Sequence, residues 1–206
     1  MLPGDPEPSV DPEKFTLYDM HFCPFCQRVR YTLDYHEIPY NRILINPTSE
    51  PSWYLWLNLS GKVPLLLYRG EKLTESDVIM KFVDQFNGAD ASLLNVCGAE
   101  AFKEALDLSS STFLLLLFTC KGEKMSLADL AVLPFLNAWD LLMSRLMKLD
   151  DASGANVETV SAQWPKILKY RQLMGGKSYI IKTAFQDGDF ATFAETCLLN
   201  ESSASS

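Results

Sequence analysis

The chain has 206 residues, 48% of them hydrophobic and 21% charged, which is the balance of a globular protein with room for one large or two small cores. Its net charge is −8, from 18 basic and 26 acidic side chains spread along the sequence. An acidic surface without a basic stripe argues against a nucleic-acid partner. The longest apolar run, Phe113 to Phe118, is six residues and far too short to span a bilayer as a helix.

Residues 1–14 read as an irregular arm with prolines at 3, 6, 8 and 12. They lack the basic start and apolar stretch of a signal peptide, so a cytoplasmic chain is the expectation. Its five cysteines are then expected reduced, and an odd number leaves no complete disulfide framework. Phe15 to Asp19 alternate apolar and polar side chains, as a short strand does. His21 to Phe25 form a turn, and Gln27 to His36 a helix with Val29 and Leu33 toward the core. His36 reads as a surface residue near the helix end. Ile38 to Ile45 are expected as a second strand and Pro51 to Leu57 as a short aromatic helix. Pro64 to Tyr68 and Lys72 to Thr74 make a hairpin around Arg69 to Glu71. Ser76 caps a helix to about Phe86, with Val78, Ile79, Phe82 and Val83 expected buried.

The order strand, helix, strand, helix, strand, strand, helix is the thioredoxin arrangement. Residues 15–87 are therefore read as an α/β thioredoxin-like domain and 88–91 as a linker. Residues 92–200 read as an all-α domain, and 201–206 as a frayed tail. Ser178 to Ile181 carry the one strand-like signal in that second part. Ser126 to Asp129 carry the clearest helix start, a capping box with Met125 and Leu130 in staple positions. Trp53, Trp56, Trp139 and Trp164 are read as core, since large aromatics mostly serve burial. Cys97, Cys120 and Cys197 are read as buried or incidental.

Cys23-Pro24-Phe25-Cys26 falls between a strand and a helix. Pro24 suits the first helical position, where an N–H would have no partner. Cys23 then takes the cap position, facing unpaired amides and the positive end of the helix dipole, an environment that favours a thiolate. Cys26, one turn on, is placed to form a disulfide with Cys23 or to resolve a mixed one. Arg28 and Arg30 add positive charge nearby. A zinc half-site would need a second ligand pair at matching spacing, and Cys97, Cys120, Cys197, His21 and His36 supply none, so no metal is expected. Two inert core cysteines are the remaining structural reading.

Lys62-Val63-Pro64 is the second element. A proline opening the strand across from such a thiol is often cis, and the residue before it can offer its backbone N–H and C=O to a peptide ligand. An ordinary strand-opening proline is the alternative. Glu75-Ser76-Asp77 is the third, at a helix start whose free amides take a carboxylate while Glu75 accepts from an ammonium group. Capping by Ser76 is expected in either case. Together the two ends fit the amino-acid end of a γ-glutamyl peptide.

These residues resemble the glutathione transferases, the omega class in particular. The matching stretches are HFCPFCQRVR, the INP-to-PSW segment, GKVPLLL, LTESDVI and MSLADL, with WPKILKYRQLM and FATFAETCLLN near the end. A proline-rich arm at the start is also an omega-class habit. The resemblance implies the glutathione-transferase fold, glutathione as co-substrate and a mixed disulfide of glutathione on Cys23. It implies that Val63 pairs with the cysteinyl backbone of glutathione, that Glu75 and Ser76 hold its γ-glutamyl end, and that Phe25, Lys62 and Pro64 line the site. The implied activities are glutathione-dependent thiol transfer, deglutathionylation and dehydroascorbate reduction. Small-molecule or protein disulfides are then the substrates and a homodimer the assembly.

Two features depart from the omega pattern. Glu50 stands where a lysine commonly helps hold the glycyl carboxylate of glutathione; a glutamate would repel it, and Lys62 is the available compensation. The stretch between Ser76 and Ser126 is shorter than the family norm by about one helix with its connection; Glu100 to Phe118 can supply one helix of roughly 30 Å at the usual rise, where the family has a long pair. Two other readings follow from these departures: a non-catalytic glutathione-binding or redox-sensing module, and a membrane-associating relative of the intracellular chloride-channel proteins, which share CPFCQR.

Overall fold

In a computed structural model, residues 1–46, 49–110, 124–148 and 165–183 are described. Phe113 to Phe118, Cys120, Trp164, Cys197 and the tail lie outside them. The chain divides into two compact units, one holding residues 1–80 and the other beginning at Lys81.

The first unit is built on a four-stranded sheet. Its strands are β1 (Phe15–Asp19), β2 (Tyr40–Leu44), β3 (Leu65–Tyr68) and β4 (Glu71–Thr74), in the order β2-β1-β3-β4. β1 pairs parallel with β2 and antiparallel with β3, and β3 pairs antiparallel with β4. The parallel pair needs a crossover, which α1 (Pro24–Tyr35) supplies, with α2 (Ser52–Leu57) between β2 and β3 and α3 (Ser76–Phe86) after β4. This is the expected thioredoxin-like order.

β1 is buried along its whole length, and its side chains alternate between faces. Tyr18 packs with Ile45, Tyr54 and Leu65, and Met1, Trp53, Leu57 and Val63 close over that cluster. Asp19 falls on the opposite face, the one that meets α1. The arm of residues 1–14 is irregular but tied down. The Met1 amino group donates to Leu44 O, and Trp53 Nε1 donates to Asp5 O at 2.9 Å. The Arg69 amide donates to Pro12 O at 2.9 Å, and Arg69 pairs with Glu13 at 2.7 Å.

From residue 89 on, the described residues are helical: a 3-10 turn at Ala89–Ala91, then α4 (Leu94–Ser110), α5 (Leu127–Lys148), α6 (Pro165–Gly175) and α7 (Ser178–Ile181). α4 packs on α5. Of the capping box at 126–129, the bonds from Ser126 to the Asp129 side chain are made, and the Asp129 amide donates to the Ser126 carbonyl at 3.2 Å. Asp129 Oδ2 accepts from the Ser126 amide at 2.8 Å and from its hydroxyl at 2.7 Å, while Tyr170 donates to Oδ1 at 3.1 Å.

Four expectations need correction. Val78 is 44% exposed and Phe82 only half-buried; α3 instead buries Ile79, Met80, Val83 and Asp84. Asp84 belongs inside because it caps the next helix, accepting from Ser92 Oγ and from the amides of Leu93 and Leu94. His36 is buried, its ring edge-on to Tyr35 at 5.1 Å. Ser178–Ile181 is a helical turn, with Lys182 N donating to Ser178 O at 3.0 Å. Trp56 is 85% exposed, not core.

Candidate functional site

The sheet register brings the three sequence elements to one end. Antiparallel pairing sets Tyr18 against Leu65, so the turn that follows Asp19 leaves β1 at the end where the Val63–Pro64 segment enters β3. On the other side of β3, Leu65 pairs with Thr74, so the segment entering β3 and the one leaving β4 toward Glu75 and Ser76 meet at that same end. The turn into Cys23, the Val63 segment and the start of α3 are therefore neighbours across three adjacent strand ends.

Cys23 caps α1 in an extended conformation, with Pro24 in the first turn. Its carbonyl accepts from the Gln27 amide at 2.9 Å, and its Sγ accepts from the Cys26 amide at 3.4 Å. Both cysteines are free thiols and both are buried. The hydrogen bond from Cys26 is the largest influence on Cys23 and holds its thiol below the ordinary value. The amides of Cys26 and Phe25 act in the same direction, whereas burial and the Asp19 carboxylate oppose them. Cys26 moves the other way: burial pushes its thiol well up, and the bond to Cys23 adds to that. One cysteine is thus poised to ionise and its neighbour to keep its proton.

The two arginines do different things. Arg30 is spent on Asp19: its guanidinium reaches both carboxylate oxygens at 2.6 and 2.8 Å, with both side chains buried. Arg42 of β2 also bonds Asp19 and lies 3.1 Å from His21 Nδ1. Arg28, also buried, donates to Ser76 Oγ at 3.1 Å and stands 5.2 Å over the Phe25 ring. Burial pushes its guanidinium down to about 10, against the pull of Asp77 and Cys23. Neither link was read from the sequence. The signal for the first was Asp19, which alternation along β1 places on the face covered by α1, where a carboxylate needs a cation.

The Val63–Pro64 peptide is cis. Among the described residues no hydrogen bond engages the Val63 backbone N–H or C=O, so both are available to an extended ligand. The Lys62 carbonyl is held instead, by Tyr54 Oη and Asn58 Nδ2, each at 2.7 Å. The Lys62 side chain is exposed and in no ion pair among the described residues. Glu50 packs against Gly61, where a Cβ would stand 3.0 Å from its carboxylate; with φ of +66°, that position needs glycine.

Glu75 has φ of +66°, a left-handed conformation held by a side chain with a Cβ, and its side chain is exposed. Its carbonyl accepts from the Ile79 amide at 3.0 Å, so α3 starts there with Ser76 buried beneath. Phe25 is exposed and available to line a ligand. Among the described residues no group of three or more His, Cys, Asp or Glu side chains gathers at metal-binding distance, and no helix is long and apolar enough to cross a membrane.

Residues 17–89 match the family described as "Glutathione S-transferase, N-terminal domain". The chain is 45% identical over 87 residues to pyrimidodiazepine synthase of Drosophila melanogaster, covering 40% of this chain and 36% of that one. It is 34% identical over 84 residues to glutathione S-transferase omega-1 of Sus scrofa, covering 40% of this chain and 35% of that one. The matched stretch thus spans about a third of these relatives. The structure superposes on Chlamydomonas reinhardtii dehydroascorbate reductase with a TM-score of 0.64 at 16% identity, over 90% of this chain and 99% of that one. At that identity the likeness speaks for the fold.

Proposed function

Residues 17–89 match the glutathione S-transferase N-terminal domain, and from that premise we propose that the chain is a glutathione-dependent thiol transferase of omega type acting through Cys23. The observation that carries this reading is the asymmetry of the thiol pair, with Cys23 lowered at a helix start and Cys26 raised behind it. A cysteine is the nucleophile of thiol exchange, whereas conjugation would call for a hydroxyl at this position.

The Cys23 thiolate attacks the glutathionyl sulfur of a mixed disulfide. That S–S bond breaks, the substrate sulfur leaves with the electron pair and takes a proton, and Cys23 now carries glutathione. A second glutathione thiolate attacks the sulfur of the bound glutathione. Glutathione disulfide leaves, and the Cys23 thiolate returns with the electron pair. Cys26 offers a second exit: its sulfur, once deprotonated, displaces glutathione and leaves a Cys23–Cys26 disulfide that glutathione reduces. Dehydroascorbate is an alternative acceptor, taking two electrons and two protons as two glutathiones become the disulfide.

Glutathione would lie extended along Val63, pairing its cysteinyl backbone with that residue's N–H and C=O. Its γ-glutamyl carboxylate would meet the α3 start at Ser76, and its ammonium group Glu75. Lys62 and Phe25 would flank it. Glu50 would disfavour the glycyl carboxylate, so affinity should rest on the γ-glutamyl end. A homodimer in the cytoplasm is the proposed setting.

Intact-mass measurement after exposure to glutathione disulfide tests the covalent step. Wild type gains one reducible glutathionyl group, and Cys23→Ser does not. An adduct that survives in Cys23→Ser would move the chemistry to another thiol.

A further inference from the structure

A cation buried between two anion sites is the feature that the thiol-transfer account leaves unused. Arg28 lies on α1 just beyond the Cys23 cap, buried, and reaches across to α3: its Nη1 donates to Ser76 Oγ at 3.1 Å. Its Cζ stands 5.2 Å over the centre of the Phe25 ring, within cation–π range. The groups that face it electrostatically are the Asp77 carboxylate of α3 and the Cys23 sulfur of its own helix. Cys23 in turn faces Arg28, Cys26 and the Phe25 amide on α1 and Asp19 on β1.

We propose that Arg28 is a positioning residue that ties the Cys23 end of α1 to Ser76 at the start of α3, so that one buried positive charge serves both the thiolate and the carboxylate of a γ-glutamyl ligand. This rests on the glutathione reading given above. A buried guanidinium is expensive to desolvate, and its planar fork of donors is hard to replace by a flexible ammonium. Holding Ser76 Oγ as acceptor turns that hydroxyl's own proton outward, toward the place where a carboxylate would sit on the α3 amides. A ligand carboxylate then gains a hydroxyl donor and the nearby charge together. Arg28 neither touches the reacting sulfur nor moves a proton. It acts through Ser76 and through its field.

Three variants separate this from a purely structural role, each read by glutathione KM and kcat and by the pH profile of Cys23 alkylation with iodoacetamide. Ser76→Ala removes the acceptor and keeps the charge: KM should rise about tenfold, one decade being a single lost charge-assisted bond, with the alkylation profile unmoved. Arg28→Lys keeps a cation near Cys23 and loses the fork: the profile should stay and KM rise. Arg28→Met loses both, so KM rises and alkylation at pH 7 slows about tenfold for a one-unit rise in the thiol's pKa. KM and profile both within twofold of wild type in Arg28→Lys and Arg28→Met, or a melting-point loss alone, would overturn the proposal. If Arg28→Met does not fold, Arg28→Lys and Ser76→Ala decide it through KM alone. The alkylation profile needs no glutathione, so a wild type that alkylates at low pH but never turns over glutathione sinks the glutathione reading instead, and this inference with it.

Discussion

Arg30→Met should be among the most damaging single changes in the first unit. The side chains of Arg30 and Asp19 are 1% and 0% exposed, and two short bonds join them. Removing the cation leaves a fully buried carboxylate that, among the described residues, keeps its ion pair with Arg42, whose side chain is 31% exposed. Breaking a buried pair from one side costs about 3–5 kcal/mol, whereas a partly exposed pair such as Arg42 with Asp19 contributes about 0–1 kcal/mol. With a urea slope near 2 kcal/mol/M, a loss of about 4 kcal/mol moves the unfolding midpoint down by roughly 2 M, and Arg42→Gln moves it by no more than about 0.5 M. The double variant Asp19→Leu/Arg30→Met replaces both charges with apolar bulk and should recover most of the loss, since a buried pair is often no better than a hydrophobic one. The assay is urea unfolding followed by circular dichroism on all four proteins. Equal losses for Arg30→Met and Arg42→Gln, or a double variant as weak as Arg30→Met, would refute the reasoning.

Cys23 should alkylate with a midpoint below about pH 8.5, the free-thiol value; a midpoint at or above that contradicts the lowered thiol. Cys26 has the opposite sign. Its folded thiol ionises above the unfolded one, so its contribution to stability is whole below about pH 8.5 and is lost as pH rises toward the folded value. Melting curves from pH 7 to 10 should therefore fall more steeply for wild type than for Cys26→Ala, and parallel curves would refute this. Glu75→Gly should leave the fold intact or stabilise it by up to about 1 kcal/mol, because glycine relieves a left-handed φ that costs a Cβ-bearing residue about 1–2 kcal/mol. The same variant should weaken glutathione binding; a melting point lowered by several degrees would count against it. Asp129→Ala strips two cap bonds and the Tyr170 bond and should cost about 2–3 kcal/mol with Cys23 alkylation unchanged. A cost under about 0.5 kcal/mol would mean the box is incidental.

The order of elements was legible because each signal was local. Alternation marked β1, a capping cysteine followed by proline marked α1, and a serine before an apolar run marked α3. What stayed hidden depended on partners far along the chain. Asp84 reads as a surface aspartate until the amides of Leu93 and Leu94 need an acceptor, and counting only apolar residues then turned the helix face by one position, toward Val78. Arg28 and Arg30 are two residues apart and chemically alike. Only the fold shows that one neutralises Asp19 while the other bridges to Ser76, 48 residues away. The thiol motif needed no such knowledge, since a helix start sets its chemistry within four residues.

The measurement that bears most directly on the whole account is steady-state reduction of a small glutathione mixed disulfide by glutathione, for wild type and Cys23→Ser at one fixed pH. The account predicts turnover by wild type and its loss in Cys23→Ser, with Cys26→Ser retaining the monothiol route. Undiminished turnover in Cys23→Ser, or none in a folded wild type, would contradict it.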